Sequence, residues 1–397
     1  LSGTANAAAT FQTPFTTPLT PGVWRPRSTA YTLTVTGVAQ NMDSPLVQQY
    51  NLQIQQQLPS AVVLEVGYVG TRGTRLAESR SLNRAFLASP SNPINGVTTN
   101  TVASANLQAR VPYQGFTPSG VTRIETYGFG MYNSLQSTLR KQVGHGLYLQ
   151  ASYTWSKAMT TVTGGDGQNG VFAGGSGNSN DPNDRHQRWG PAGYDRTNRL
   201  VIVYSYQLPS VKNGGAFLRT ATNGWKVSGV STFQSGKPLT FTDTRNGTAY
   251  GTASRAQFAS GYSNGNILNK NGGSMLNRVR NTTYLNPGAT VFTTAPAVPF
   301  SAAATAGGPQ AIDYGNSAIG AARGPGNQNW DMTLIKTTKV GGLREDATLD
   351  FRTEFFNVWN HAQYANPGTG VGTASYGLIN ASSVAPRLIQ FALKYQF

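Results

Sequence analysis

The chain ends in RLIQFALKYQF, whose residues alternate from Ile389 to Phe397. Ile389, Phe391, Leu393, Tyr395 and Phe397 fall on one side, and Gln390, Ala392, Lys394 and Gln396 on the other. Successive side chains of a strand point to opposite faces, so this stretch predicts a strand with one apolar and one wet face. The rhythm recurs along the chain. Tyr50, Leu52 and Ile54 are in phase within residues 46–58, and Val62, Leu64, Val66 and Tyr68 answer them within 61–70. The tight turn at Pro59-Ser60 joins the two runs into a hairpin. Residues 131–143, with Leu135, Leu139 and Val143 in phase, pair with 147–157 across Gly144-His145-Gly146. There Leu149, Tyr153 and Trp155 share a face. Further strands are expected at 31–38, 198–208 and 223–235, the last with Trp225, Val227 and Phe233 aligned. Residues 330–340 and 347–357 form a third hairpin over Gly341-Gly342.

Composition narrows what such strands can build. Charged residues are 12% of the 397, with 46 Gly, 18 Tyr and 17 Phe. A soluble domain carries about 25% charge. Uncharged Asn, Gln, Ser and Thr supply the polarity here, which suits a wall with lipid on one side and water on the other. No run of about 18 apolar residues exists, so no transmembrane helix is expected. No stretch of period 3.6 with caps stands out. The absence of cysteine excludes a disulfide framework and cysteine-bound metal. The chain opens at Leu1 without Met or a signal segment, as a mature product or a fragment would.

These features predict an all-β chain: an antiparallel up-and-down β-barrel of outer-membrane type, with short turns at one end and long loops at the other. Residues 1–29 read as an extended N-terminal arm and 30–397 as the barrel, with long loops at about 71–130, 158–196 and 236–329. A soluble sandwich would also show alternating strands, but it would not require aromatics at the ends of the apolar stripes. Tyr153, Trp155, Trp225, Phe391, Tyr395 and Phe397 are the candidate lipid-facing or girdle residues. Asp350, Arg352 and Glu354 share the opposite face of their strand and are expected to form a charge ladder facing the lumen, with Arg352 neutralising both carboxylates.

The runs NLQIQQQLPSAVVLEVGYVGTRGTRL (51–76), YNSLQSTLRKQVGHGLYLQASYTWSKAM (132–159), GWKVSGVSTFQSGKPLTF (224–241), LDFRTEFFNVWNH (349–361) and PRLIQFALKYQF (386–397) resemble TonB-dependent receptors. The type they are most similar to is the Oar-like receptors, which carry a carboxypeptidase-regulatory-like domain. The resemblance covers about residue 45 to the end. It implies a bacterial outer-membrane or cell-surface location and a barrel that works with a plug and a TonB box. Neither plug nor box is recognisable here, so the chain resembles the C-terminal portion of such a barrel.

No catalytic residue is expected. His145, His186 and His361 belong to no Ser-His-Asp or HExxH spacing. Asp181, Asn183 and Asp184 are oxygen ligands that could hold calcium, but the glycine and distal Glu of a calcium loop are missing, and an Asx-rich turn explains them more simply. GGDGQNG at 164–170 lacks the flanking elements and the Lys of a phosphate loop. No cofactor is expected. The net charge of +16 points to lipid, an anionic solute or a polysaccharide as partner. No nucleic acid is expected, because the Lys and Arg are scattered.

Two functions stay open: a pore or transport module, and an extracellular structural subunit. In the second case strand edges or the arm would pair with other copies into a tube or filament.

Overall fold

The structure, a computed structural model, describes residues 33–86, 88, 90–98, 106–113, 116–143, 146–162, 186–243, 254–280, 283–293, 315–341 and 347–397. The N-terminal arm 1–29 lies outside them. Ten strands carry the architecture: β1 (Leu33–Val38), β2 (Leu46–Leu58), β3 (Val62–Ser81), β4 (Phe116–Val143), β5 (Leu147–Thr160), β6 (Asn198–Gln207), β7 (Trp225–Gln234), β8 (Asn327–Lys339), β9 (Thr348–Phe356) and β10 (Leu388–Gln396). From β2 to β10 each strand pairs antiparallel with the next, in chain order. β1 adds in parallel to the first part of β4. The short strand Gly190–Pro191 adds to the end of β5, making eleven strands in one sheet. Among the described residues, β2 and β10 each pair on one side only, and no helix is long and apolar enough to cross a membrane.

Directly opposed residues of neighbouring strands share a face, so the register decides where each side chain goes. One row runs Leu64, Leu139, Ala151, Ile202, Ser231, Trp330. A second runs Tyr206, Val227, Leu334, Thr353, Phe391 on the same face. The opposite face reads Gln55, Glu65, Thr138, Ser152, Val201, Thr232, Asn329. A single apolar face and a single polar face thus persist across nine strands. The apolar face is left uncovered: Leu52, Ile54, Phe391 and Leu393 are 66–68% exposed. Each such side chain would gain about 1.5–3 kcal/mol on leaving water, so the face requires an apolar surround.

The two ends of the sheet differ. β2–β3, β4–β5 and β8–β9 are joined by short turns, with positive φ at Ser60, Ala61, Gly146 and Gly341. The exception at that end is the β6–β7 connection, which holds a helix, α1 (Ala216–Thr222). The Lys336 ammonium of β8 reaches the carbonyls of Thr220 and Asn223 at its C-terminal end and sits 5.7 Å from the Trp225 ring centroid. A cation there complements the helix dipole.

The opposite end carries the long connections, and two of the expected loops are shorter than the sequence suggested. Within 71–130, β3 continues to Ser81 and β4 begins at Phe116. These extensions mix polar and apolar residues without a two-residue rhythm, so hydropathy did not mark them as strands. Within 158–196, β5 continues to Thr160. The described residues of 236–329 are packed as well. With residues 370–379 it builds the main described hydrophobic core, around Leu239, Phe241, Ile267, Leu285, Phe292 and Val371. Phe292 stacks on Phe258 and tilts against Phe241, at centroid distances of 5.2 and 5.5 Å. α2 (Met275–Arg280) and α3 (Gly288–Val291) belong to the same segment. The wall spends its apolar residues outward, and this core sits in a cap over its loop end.

Two glycines on the apolar face are covered by tyrosines of the adjacent strand. Tyr50 of β2 lies over Gly70 of β3, and Tyr204 of β6 lies over Gly229 of β7. A Cβ on Gly229 would stand 2.6 Å from the Tyr204 hydroxyl oxygen and 2.5 Å from the Asp331 carbonyl oxygen.

Candidate functional site

Beyond the first turns of the wall, β3 and β4 change character. Arg75 has φ +56° and bulges out of register. Past the bulge, Leu76 folds against Gly73 and Gly130 on the polar face. Glu78 and Arg80 follow on β3, directly opposite Glu125 and Arg123 on β4. Like charges therefore face each other twice, an arrangement that is unfavourable when left uncompensated.

The compensation is diagonal and comes partly from outside the hairpin. Arg80 and Arg123 both reach Glu125, at 2.5 and 2.6 Å. Glu78 pairs at 2.5 Å with Arg188, which the single turn His186–Arg188 delivers. Both side chains of that last pair are almost fully buried. A second ion pair joins Asp195 to Arg323, with Asp195 also accepting the Ala158 N–H at 2.7 Å. Arg323 donates in addition to the Gly236 carbonyl at 3.1 Å, tying the cap to the end of β7. Arg196 donates to the Ser235 carbonyl at 2.5 Å. Burial, and then the Arg323 charge beside it, pull the Arg196 pKa below its ordinary value. Arg110 is fully buried and donates to the Phe86 carbonyl at 2.6 Å and to Asn106 at 3.1 Å.

Among the described residues the electrostatic balance here is positive. Arg80, Arg123, Arg188 and Arg323 pair with Glu78, Glu125 and Asp195, while Arg110 and Arg196 donate to backbone carbonyls. Guanidinium groups present planar donor forks that match carboxylate and phosphate. The chemistry on offer is anion recognition. Among the described residues no group of three or more His, Asp or Glu could hold a metal ion.

The register places the residues singled out in the sequence. Trp155 and Tyr153 lie on the apolar face toward the loop end, beside Phe233 and Trp330. Trp225, Tyr395 and Phe397 lie toward the turn end, with Tyr395 and Phe397 stacked at 5.7 Å. Phe391 stands between, stacked on Phe351 at 6.2 Å. Asp350, Arg352 and Glu354 share the polar face of β9, opposite Lys394, Ala392 and Gln390. The expected neutralisation by Arg352 is narrower than thought. Arg352 pairs with Glu354, while Asp350 stands across from Lys394. These three do not join the arginine layer, which belongs to β3, β4 and the connections. Asp181, Asn183, Asp184 and His145 lie outside the described residues. His186 is exposed, and His361 contacts Gln363 at 3.2 Å through Nδ1.

Sequence reasoning missed the arginine layer. The available signal was the charge alternation of Glu78 and Arg80, and of Arg123 and Glu125, within a segment read as irregular.

Three solved outer-membrane proteins are similar to this chain. The outer membrane transporter YddB from Escherichia coli is 10% identical with a TM-score of 0.43, over 89% of this chain and 33% of that one. BauA, the ferric preacinetobactin receptor from Acinetobacter baumannii, is 12% identical with a TM-score of 0.37, over 88% and 29%. The pyoverdine outer membrane receptor FpvA from Pseudomonas aeruginosa is 12% identical with a TM-score of 0.37, over 90% and 30%. The chain therefore spans about a third of the length of each. No curated protein matches it. The family profile described as outer membrane beta barrel domain matches residues 1–390, and the chain belongs to that family, whose place is the bacterial outer membrane.

Proposed function

We propose that this chain forms part of the wall and the outer cap of a transport barrel of TonB-dependent-receptor type. The finer assignment, to the Oar-like type, is part of this proposal and rests on the runs at 51–76, 132–159 and 386–397. Its apolar face meets lipid and its polar face lines the passage, as one portion of a pore or transport module. The cargo is an anionic solute or an anionic polysaccharide, drawn in from the long-loop side. The reading assigns the chain no reaction and no cofactor. The observation that carries it is the surplus of arginines over carboxylates, among the described residues, at the loop end of the wall and in its connections. Positive lining raises the local concentration of anions and speeds their capture.

The test is permeation through lipid vesicles holding the full chain, with anionic and cationic solutes of equal size. Anions should enter several-fold faster. Replacing Arg123 and Arg196 with Gln, which leaves Glu125 its Arg80 partner, should shrink that preference while the sheet still forms. A preference for cations, or one unmoved by the substitutions, removes the proposal.

A second reading rests on the edges of the sheet. β2 offers thirteen residues and β10 nine, each paired on one side only among the described residues. Open edges template association, and a subunit joined edge to edge would build a tube or filament. Fibres seen by negative-stain microscopy in plain buffer support this reading. Particles that stay dispersed and need detergent remove it.

A further inference from the structure

A cavity of about 780 Å³ opens on the apolar face of the wall, near its loop end. Its floor is one register row, Tyr153, Leu200, Phe233 and Gln328, contributed by β5, β6, β7 and β8. Its roof is the start of α2, Met275 and Leu276, together with Tyr364 from the β9–β10 connection. The cap thus reaches over the rim of the wall and encloses space against the surface that, on the proposed function, meets lipid.

The lining is graded in polarity. Leu200, Phe233 and Met275 are apolar, and Phe233 is braced edge-on by Trp330 at 5.5 Å. Above them, Tyr153 donates through its hydroxyl to Asn198 at 2.7 Å, and Asn198 donates in turn to Ser235 at 3.1 and 3.3 Å. The side-chain amide of Gln328 and the hydroxyl of Tyr364 carry no hydrogen bond among the described residues. Arg278 and Arg280 stand on α2, the helix that forms the roof. A site that is apolar toward the membrane interior and hydrogen-bonding at its rim, under a helix that carries two arginines, fits an amphiphile standing in the leaflet.

We propose that this cavity binds a single membrane lipid of the loop-side leaflet, one with an anionic, hydroxyl-rich headgroup. An acyl chain lies along Leu200 and Phe233. Headgroup hydroxyls meet Gln328 and Tyr364, and the anionic group is held on the side of Arg278 and Arg280. The occupant is argued from continuity. The floor belongs to the same uninterrupted apolar face that surrounds it, so lipid reaches the cavity without crossing a polar surface. The inference rests on that face meeting lipid, and the experiment separates the two ideas.

The full chain is purified in detergent and offered, in equal amounts, a bis-phosphorylated acylated glucosamine disaccharide, phosphatidylglycerol and phosphatidylethanolamine. Retained lipid is read by native mass spectrometry. One copy of the phosphorylated glycolipid should be retained about tenfold more tightly than the other two. Leu276→Glu combined with Met275→Glu should abolish retention, and Arg278→Gln with Arg280→Gln should reduce the preference for the anionic headgroup. Both pairs lie in the cap and leave the wall's pairing untouched. Equal retention of all three lipids, or retention indifferent to the substitutions, means surrounding lipid only and overturns the inference. A chain that stays monodisperse without detergent and retains no lipid overturns the lipid-facing reading itself.

Discussion

Glu78 and Glu125 stand directly across from each other on β3 and β4, two carboxylates in one register position. The hairpin cannot satisfy both from its own residues. Arg80 and Arg123 turn to Glu125, and Glu78 waits for Arg188 from a connection more than a hundred residues later in the chain. The wall and the connection after β5 are thereby made to depend on each other. Glu78→Leu should cost about 3–5 kcal/mol, because it leaves the Arg188 charge buried without its partner. Glu78→Leu together with Arg188→Met should recover most of that loss. The urea midpoint in detergent micelles measures both, and a double variant no better than the single one would show that the pair matters for something other than charge balance.

Adjacent residues in mid-strand should respond in opposite ways to the same substitution. Ala151 lies on the apolar face and Ser152 on the polar face of β5. Ala151→Arg should cost about 2–4 kcal/mol in membrane stability, the penalty of a cation at bilayer depth. Ser152→Arg should cost far less. Insertion into lipid vesicles, followed by the shift of the folded band on a gel, compares the two. Equal penalties would mean that the faces have been assigned wrongly.

The cap should loosen in alkali through Tyr376. Burial pushes its phenol pKa above the ordinary 10.0, and its hydroxyl has no hydrogen-bond partner among the described residues. A folded-state pKa raised above the unfolded one gives stability that is complete below the unfolded value. That contribution is lost as pH rises through the folded value. Protease cleavage within the cap should therefore accelerate as pH climbs above 10.0, and Tyr376→Phe should blunt the effect at little cost at neutral pH. Identical pH profiles for the two proteins would refute the assignment.

Gly229 should not tolerate a side chain. A Cβ there meets the Asp331 carbonyl oxygen, which is backbone and cannot rotate away, as well as the Tyr204 hydroxyl. Gly229→Val should destabilise by about 1–3 kcal/mol from overpacking. Combining it with Tyr204→Ala should restore only the share due to the ring. Thermal unfolding in detergent gives both values.

The wall was legible because its physics repeats every two residues. Leu64, Leu139, Ile202 and Trp330 each sit in a run whose alternation follows from pleating alone. Their meeting in one row follows from pairing each strand with the next in chain order, whatever the length of the connection. The arginine layer carried no such signature. Glu78, Arg80, Arg123 and Glu125 alternate with Ser79 and Ile124 in a stretch with little hydropathy contrast, so two strand extensions passed for loop. The core of the cap was hidden for a different reason. Phe241, Ile267, Phe292 and Val371 sit in apolar patches of one or two residues scattered among Gly, Asn and Thr, and only long-range packing gathers them. α1 has seven residues and no side-chain N-cap, too little for a periodic signal.

The tyrosines seated on Gly70 and Gly229 bear on how the wall avoids mistakes. A pattern that repeats every two places forbids a strand from sliding by one, since that would present its oily side to water. It raises no objection to sliding by two, where oil still matches oil. An aromatic ring that fits only opposite a residue without a side chain removes that freedom, acting as a key cut for a single notch. Strands zippered from such interchangeable text need a few of these keys, or the nine of them would settle into many nearly equivalent alignments.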